Sequence, residues 1–82
     1  MVKHMIRGEK GMFALTTTGT IHFRGFKDGR WKRVIGPAGS AVNELVLGSD
    51  GLFAVTSSGK IMFRPKGRRN RGNWRVYDGP AV

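Results

Sequence analysis

The feature that most constrains this chain is an internal repeat with a period of about 40 residues. When residue n is aligned with residue n + 40, ten of the 23 positions from 2 to 24 hold the same residue, Phe13 and Phe53 among them. After a three-residue insertion the offset becomes 43, and Trp31 then matches Trp74. Two tandem copies of one structural unit, residues 1–40 and 41–82, are therefore predicted to form a single domain.

Each copy is predicted to form four short β-strands. The segments are rich in Val, Ile, Phe, Trp and Thr, which favour strands, and are separated by turn sequences such as Asp28-Gly29 and Ser58-Gly59. No segment shows the period of an amphipathic helix, so an all-β fold is expected. The predicted strands span residues 2–7, 12–16, 20–24 and 30–35, with counterparts at 42–47, 52–56, 60–64 and 74–78.

The second strand of each copy is apolar on both faces. Phe13 and Leu15 share one face, and Met12 and Ala14 share the other. A sheet of this kind needs cover on both sides, which the stacked blades of a β-propeller provide. Because a propeller has about four to eight blades, two blades require further copies of the chain, and a six-bladed trimer is favoured. The alternative is a monomeric eight-stranded barrel or sandwich.

The second copy contains a pattern of turn glycines, apolar strand residues and one tryptophan. Its residues are Gly48, Asp50, Gly51, Phe53, Ala54, Val55, Ser58, Gly59, Ile61, Phe63, Trp74 and Gly79. With this pattern the second copy resembles a blade of the tectonin/tachylectin family. The resemblance implies a propeller fold, and it implies carbohydrate binding between blades, since many of these propellers are lectins. The first copy departs from the pattern where Glu9-Lys10-Gly11 replaces the Ser-Asp-Gly turn.

The chain carries a large excess of positive charge. Fifteen Lys and Arg face five Asp and Glu, a formal net charge of +10. Most of the cations follow the third strand of each copy, so a basic belt is expected on the outer edge and one rim face of the ring. Such a belt predicts sequence-tolerant binding to the phosphate backbone of nucleic acid. The predicted contact residues are Arg24, Lys27, Arg30, Lys32, Arg33, Arg64, Lys66, Arg68, Arg69, Arg71 and Arg75.

Two other binding functions remain open. A lectin would need an aromatic platform beside acids and amides, and an anionic glycan would suit the positive charge. A small module that grips an acidic protein is the third possibility. Trp31 and Trp74 belong to the carbohydrate hypothesis, although they are also expected to pack between blades. The predicted sugar-binding residues are Trp31, Trp74, Tyr77, Asn73 and Asp78, with Asn43 and Glu44 as further candidates.

The sequence gives little support to catalysis or to a cofactor. Cysteine is absent, and the two histidines, His4 and His22, do not make a metal-binding cluster. No phosphate-binding glycine motif leads into a helix. A non-enzymatic protein without cofactor or metal is therefore predicted. The lack of a long apolar run or a leader-like N-terminus predicts a cytoplasmic protein without membrane insertion.

Overall fold

The protein is described from a computed structural model, which places residues 1–37, 39, 41–66, 73–77 and 79–80. These residues form strands and connections without a helix, so none of them belongs to a helix that could cross a membrane. The strands are β1 (Val2–Arg7), β2 (Gly11–Thr16), β3 (Ile21–Gly25), β4 (Lys32–Val34), β5 (Val42–Leu47), β6 (Gly51–Thr56), β7 (Ile61–Pro65) and β8 (Arg75–Tyr77).

The eight strands form two four-stranded antiparallel sheets, each with its strands in chain order. The first sheet contains β1 to β4 and the second contains β5 to β8. The two sheets share the same register: Phe13 pairs with Phe23 in the first, and Phe53 pairs with Phe63 in the second. The prediction of an all-β chain with two four-stranded antiparallel units is confirmed.

Identical hairpins join the second and third strands of each sheet. In the first sheet Gly19 adopts φ 87° and donates its amide to the carbonyl of Thr16, 3.0 Å away. The Thr16 hydroxyl accepts the amide of Thr20 at 3.2 Å. Gly59 adopts φ 86° at the same place in the second sheet, because this turn needs a left-handed residue and glycine adopts that conformation without steric cost.

The third and fourth strands differ slightly from their predicted bounds. β3 begins at Ile21 instead of residue 20, because the Thr20 amide donates its hydrogen bond to the Thr16 hydroxyl in the turn. β4 covers three residues instead of the predicted six. The carboxylate of Asp28 accepts the amide of Arg30 at 3.2 Å, which holds residues 28–30 in a turn and delays the strand. In the second sheet the last residue predicted for the fourth strand lies outside the described residues.

The hydrophobic core lies between the two sheets. Leu15 and Ile21 from the first sheet are at most 1% exposed, and they pack on four buried residues of the second sheet. The face of the first sheet that carries Leu15 is therefore turned toward the second sheet. The partners from the second sheet are Val42, Leu45, Leu52 and Ala54.

Each sheet also has an outer face that nothing among the described residues covers. On the first sheet this outer face carries Val2 and Met5, which are 53% and 50% exposed. The outer face of the second sheet is more apolar and contains an aromatic cluster, in which Phe53 lies 4.6 Å from Phe63 and 5.1 Å from Tyr77 between ring centroids. Both faces present apolar side chains to solvent.

Candidate nucleic-acid interface

The positive charge is concentrated at one end of the two sheets. This end, called the basic end below, is formed by the β1–β2, β3–β4 and β5–β6 connections and by the adjoining strand ends. The backbone bond from the Phe26 amide to the Lys10 carbonyl, 3.0 Å long, fixes the β3–β4 connection beside the β1–β2 turn. The cations of the basic end are Arg7, Lys10, Arg24, Lys27, Arg30, Lys32, Arg64, Lys66 and Arg75.

A cleft opens between the two sheets at the basic end. Its volume is about 860 Å³, and its lining is mostly apolar. One wall is a cross-strand row of the first sheet, in which Phe13 pairs with Phe23 and Phe23 pairs with Lys32. The facing wall is the cross-strand row Leu47, Leu52 and Arg64 on the opposing face of the second sheet. Each wall therefore consists of two apolar side chains followed by one cation, Lys32 on the first sheet and Arg64 on the second.

Two ion pairs lie at the mouth of this cleft. The Lys66 ammonium is 3.4 Å from a carboxylate oxygen of Glu9, and this pair joins the second sheet to the first. The Lys32 ammonium is 3.4 Å from a carboxylate oxygen of Asp28. All four side chains are well exposed, so each pair contributes little stability and a phosphate can compete for either lysine.

The structure brings together part of the predicted phosphate-binding set. Lys32 and Arg33 of the first copy and Arg64 and Lys66 of the second border the same cleft. The remaining described members lie at the basic end outside the cleft, and Arg24 donates its Nε–H to the Asp28 carbonyl at 3.2 Å. Those other members are Lys27, Arg30 and Arg75, whereas Arg68, Arg69 and Arg71 lie outside the described residues.

Sequence reasoning missed most of the residues that line the cleft, and Lys10, Phe13 and Phe23 matter most among them. Lys10 borders its mouth, and Phe13 and Phe23 form its aromatic wall with ring centroids 4.8 Å apart. The strand pattern already placed Phe13 and Phe23 on single faces of adjacent strands. Their pairing follows from hairpin register, which the Gly19 turn specifies.

The predicted sugar-binding residues are dispersed. Trp74 lies between the sheets and donates its indole N–H to the Ile35 carbonyl at 2.8 Å, while Trp31 is 44% exposed. Tyr77 belongs to the aromatic cluster on the outer face of the second sheet, and Asn73 is exposed. None of these four lines the cleft, and Asp78 lies outside the described residues.

No family model, no curated protein and no solved structure matches this chain. Within the described part of the chain, no group of three or more His, Asp or Glu side chains is placed to hold a metal ion. The interface therefore has to be interpreted from its own chemistry, which combines an apolar cleft with a cationic mouth.

Proposed function

We propose that the chain is the two-blade protomer of an oligomeric, tectonin-like β-propeller, and that the assembled protein is a non-enzymatic module that binds the phosphate backbone of nucleic acid. The assembly and the nucleic-acid binding rest on different observations. The assembly rests on the unequal burial of equivalent residues in the two repeats. The binding rests on the cationic end of the sheets.

Equivalent residues of the two repeats differ in burial in the way that a missing neighbour would produce. Val42 and Leu45 are 2% and 6% exposed because the first sheet covers them, while their equivalents Val2 and Met5 are about half exposed. On the opposite face, Ile21 is 1% exposed and its equivalent Ile61 is only half-buried. The outer face of the first sheet is thus equivalent, in the repeat, to the buried face of the second sheet. Likewise, the outer face of the second sheet is equivalent to the buried face of the first.

Further copies of the chain fit the two outer faces. Stacking the second sheet of one chain on the first sheet of the next repeats the contact already made inside the protomer. Because the two faces are different, this contact is head-to-tail, and it closes a ring when the rotation per blade divides a full turn. Closure would cover the aromatic cluster of the second sheet, and three chains would give a ring of six blades, within the usual range for propellers.

The indole of Trp31 and the turn at Gly59 both have room for such a neighbour. Trp31 occupies the repeat position of Trp74, whose indole N–H donates a hydrogen bond to the Ile35 carbonyl of the sheet before it in the chain. A Cβ added at Gly19 would lie 2.5 Å from the Cβ of Ala41 in the following sheet, while nothing lies within 4 Å of the same point at Gly59. In the ring, Met1 of the next chain would take the place of Ala41.

The cations of the basic end support nucleic acid as the ligand. Stacked blades would place these ends on one rim of the ring, so the positive charge of every chain would add along a continuous surface. Lysine and arginine release condensed counterions when they contact phosphates, so the affinity must fall steeply as salt rises. Contacts of this kind position the ligand without reading its sequence.

Fluorescence anisotropy of a labelled DNA fragment, titrated at several salt concentrations, tests this function. We expect saturable binding whose logarithmic affinity falls linearly with the logarithm of salt concentration, with a slope of about −0.9 per phosphate contact on duplex. Lys66→Gln at the cleft mouth should reduce the magnitude of the slope by roughly 1. Lys60→Gln removes the same charge from a hairpin at the opposite end of the sheets and should leave the slope unchanged.

Absence of binding at near-physiological salt would contradict the proposal. A glycan array and capture with acidic proteins then separate the two other binding functions. Binding of a glycan that is lost in Trp31→Ala but retained in Lys66→Gln would favour the carbohydrate hypothesis.

A further inference from the structure

The walls of the inter-sheet cleft carry chemistry that backbone binding does not use. A surface that recognises only phosphates needs cations and no apolar cavity. Here Phe13 and Phe23 are half-buried and line a cleft of about 860 Å³, together with Leu47 and the buried Leu52. A volume of this size, an apolar lining and a few polar groups at the mouth are typical of a site for a small organic ligand or group.

We infer that this cleft takes an unpaired nucleobase, so that the protein binds single-stranded nucleic acid in preference to duplex. The inference rests on the proposed function, because the base enters as part of a strand whose phosphates the basic end holds. The inference adds a ligand for the cleft, because binding of the phosphate backbone by the cations assigns none to it.

The positions of the cations fit a base with a phosphate on either side. Lys32 ends the aromatic wall and Arg64 ends the facing wall, so a base between the walls would have a cation beside each flanking phosphate. Lys10 and Lys66 stand at the same mouth. A cationic groove with aromatic side chains for the bases is the usual arrangement in proteins that bind single strands without sequence preference.

A duplex cannot use the cleft in the same way. Its bases are paired and stacked, and moving one into a protein cavity costs the energy of unpairing and unstacking. A single strand pays much less of this cost. Binding of duplex would therefore depend on the cations alone, whereas a single strand would also gain contact with the phenylalanine rings.

The repeat predicts a second cleft of the same kind where two chains meet. The second sheet carries the row Phe53, Phe63 and Arg75 in the register of Phe13, Phe23 and Lys32. The row that would face it from the next chain is Arg7, Met12 and Arg24. An aromatic pair with cations on both walls thus recurs at the contact between chains, which would give the ring one base site for each blade.

The decisive comparison uses oligonucleotides that differ only in their bases. Fluorescence anisotropy is measured for the whole chain with a labelled single strand, with an abasic strand of the same length and charge, and with the matching duplex. We expect the abasic strand to bind at least about fivefold more weakly than the ordinary strand, which is the lower limit for loss of one stacked base. We also expect the duplex to bind more weakly than the single strand.

Phe23→Leu should reduce the preference for the ordinary strand over the abasic strand and leave the affinity for the abasic strand unchanged. Phe26→Leu is the matched control, because Phe26 is exposed and does not line the cleft. Arg7, whose guanidinium lies over the Phe26 ring, keeps its charge in this variant. If ordinary and abasic strands bind equally, with the steep salt dependence intact, the base site is wrong and backbone binding stands. If neither strand binds, both proposals fail.

Discussion

Trp74 of the second sheet donates its indole N–H to the carbonyl oxygen of Ile35 in the first sheet, 2.8 Å away. The bond crosses from one repeat to the other, and the Trp74 ring also packs against the core. Trp31, the equivalent residue of the first repeat, is 44% exposed. Trp74 therefore has its hydrogen-bond partner inside the chain. We expect Trp31, at the same position of the other repeat, to find its partner on a neighbouring chain.

The first prediction concerns the environment of Trp31. In the variant Trp74→Phe, Trp31 is the sole tryptophan, and its emission should shift to shorter wavelength as protein concentration rises and the ring assembles. In Trp31→Phe the remaining Trp74 is already half-buried and hydrogen-bonded to Ile35 within the chain, so its emission should depend less on concentration. Emission of Trp31 that stays typical of an exposed indole in the assembled protein would contradict the proposed contact.

The second prediction compares two isoleucines at the same repeat position. Ile21→Ala should lower the free energy of unfolding by about 2–5 kcal/mol, because Ile21 is fully enclosed between the sheets. Ile61→Ala should cost less under conditions where the chain is monomeric, since Ile61 is only half-buried. Urea unfolding at several protein concentrations measures both.

In the assembled protein, Ile21→Ala and Ile61→Ala should lower the free energy of unfolding by similar amounts, because the next chain would cover Ile61. A loss for Ile61→Ala that does not change with protein concentration would argue against assembly through the outer face of the second sheet.

The third prediction compares Gly19 and Gly59. Both adopt positive φ, so alanine at either position carries a backbone cost of about 1–2 kcal/mol. Gly19→Ala should cost more in the protomer, because its Cβ would also meet Ala41. Gly59→Ala should mainly weaken self-association, which sedimentation velocity measures. Equal effects of the two variants on both unfolding and self-association would contradict the proposed contact at Gly59.

The fourth prediction is a gain in binding. Glu9 pairs with Lys66 at the mouth of the cleft, where it also repels phosphate. Glu9→Gln should therefore raise the affinity for single-stranded DNA several-fold at low salt and less at high salt. Glu44→Gln removes the same charge from β5, away from the basic end, and serves as the control. An equal gain in both variants would indicate a general effect of net charge and no role for the cleft mouth.

The fold was largely predictable because the repeat and the turn residues are local features. The bounds of β1 and β5 agree with the predicted segments, since each strand ends at a glycine-containing turn. β4 was predicted too long, because the side chain of Asp28 captures the amide of Arg30, an interaction that strand propensity does not register.

The candidate site was predictable only in part. The cations could be assigned to the ends of the third strands from the sequence alone. The cleft could not be predicted, because it depends on how the first sheet is positioned on the second. That position is determined by packing in a core whose members, Leu15 and Leu45 among them, are distant in sequence. The aromatic wall follows from register within one sheet, while its facing wall follows only from the packing of two.

The most direct test of the account is the mass of the assembled protein, measured by sedimentation equilibrium or native mass spectrometry over a wide range of concentrations, with and without a short single-stranded DNA. We predict one closed species of three chains, which the DNA stabilises because it offsets repulsion between chains of charge +10. A chain that stays monomeric at every concentration, with or without DNA, would contradict the account.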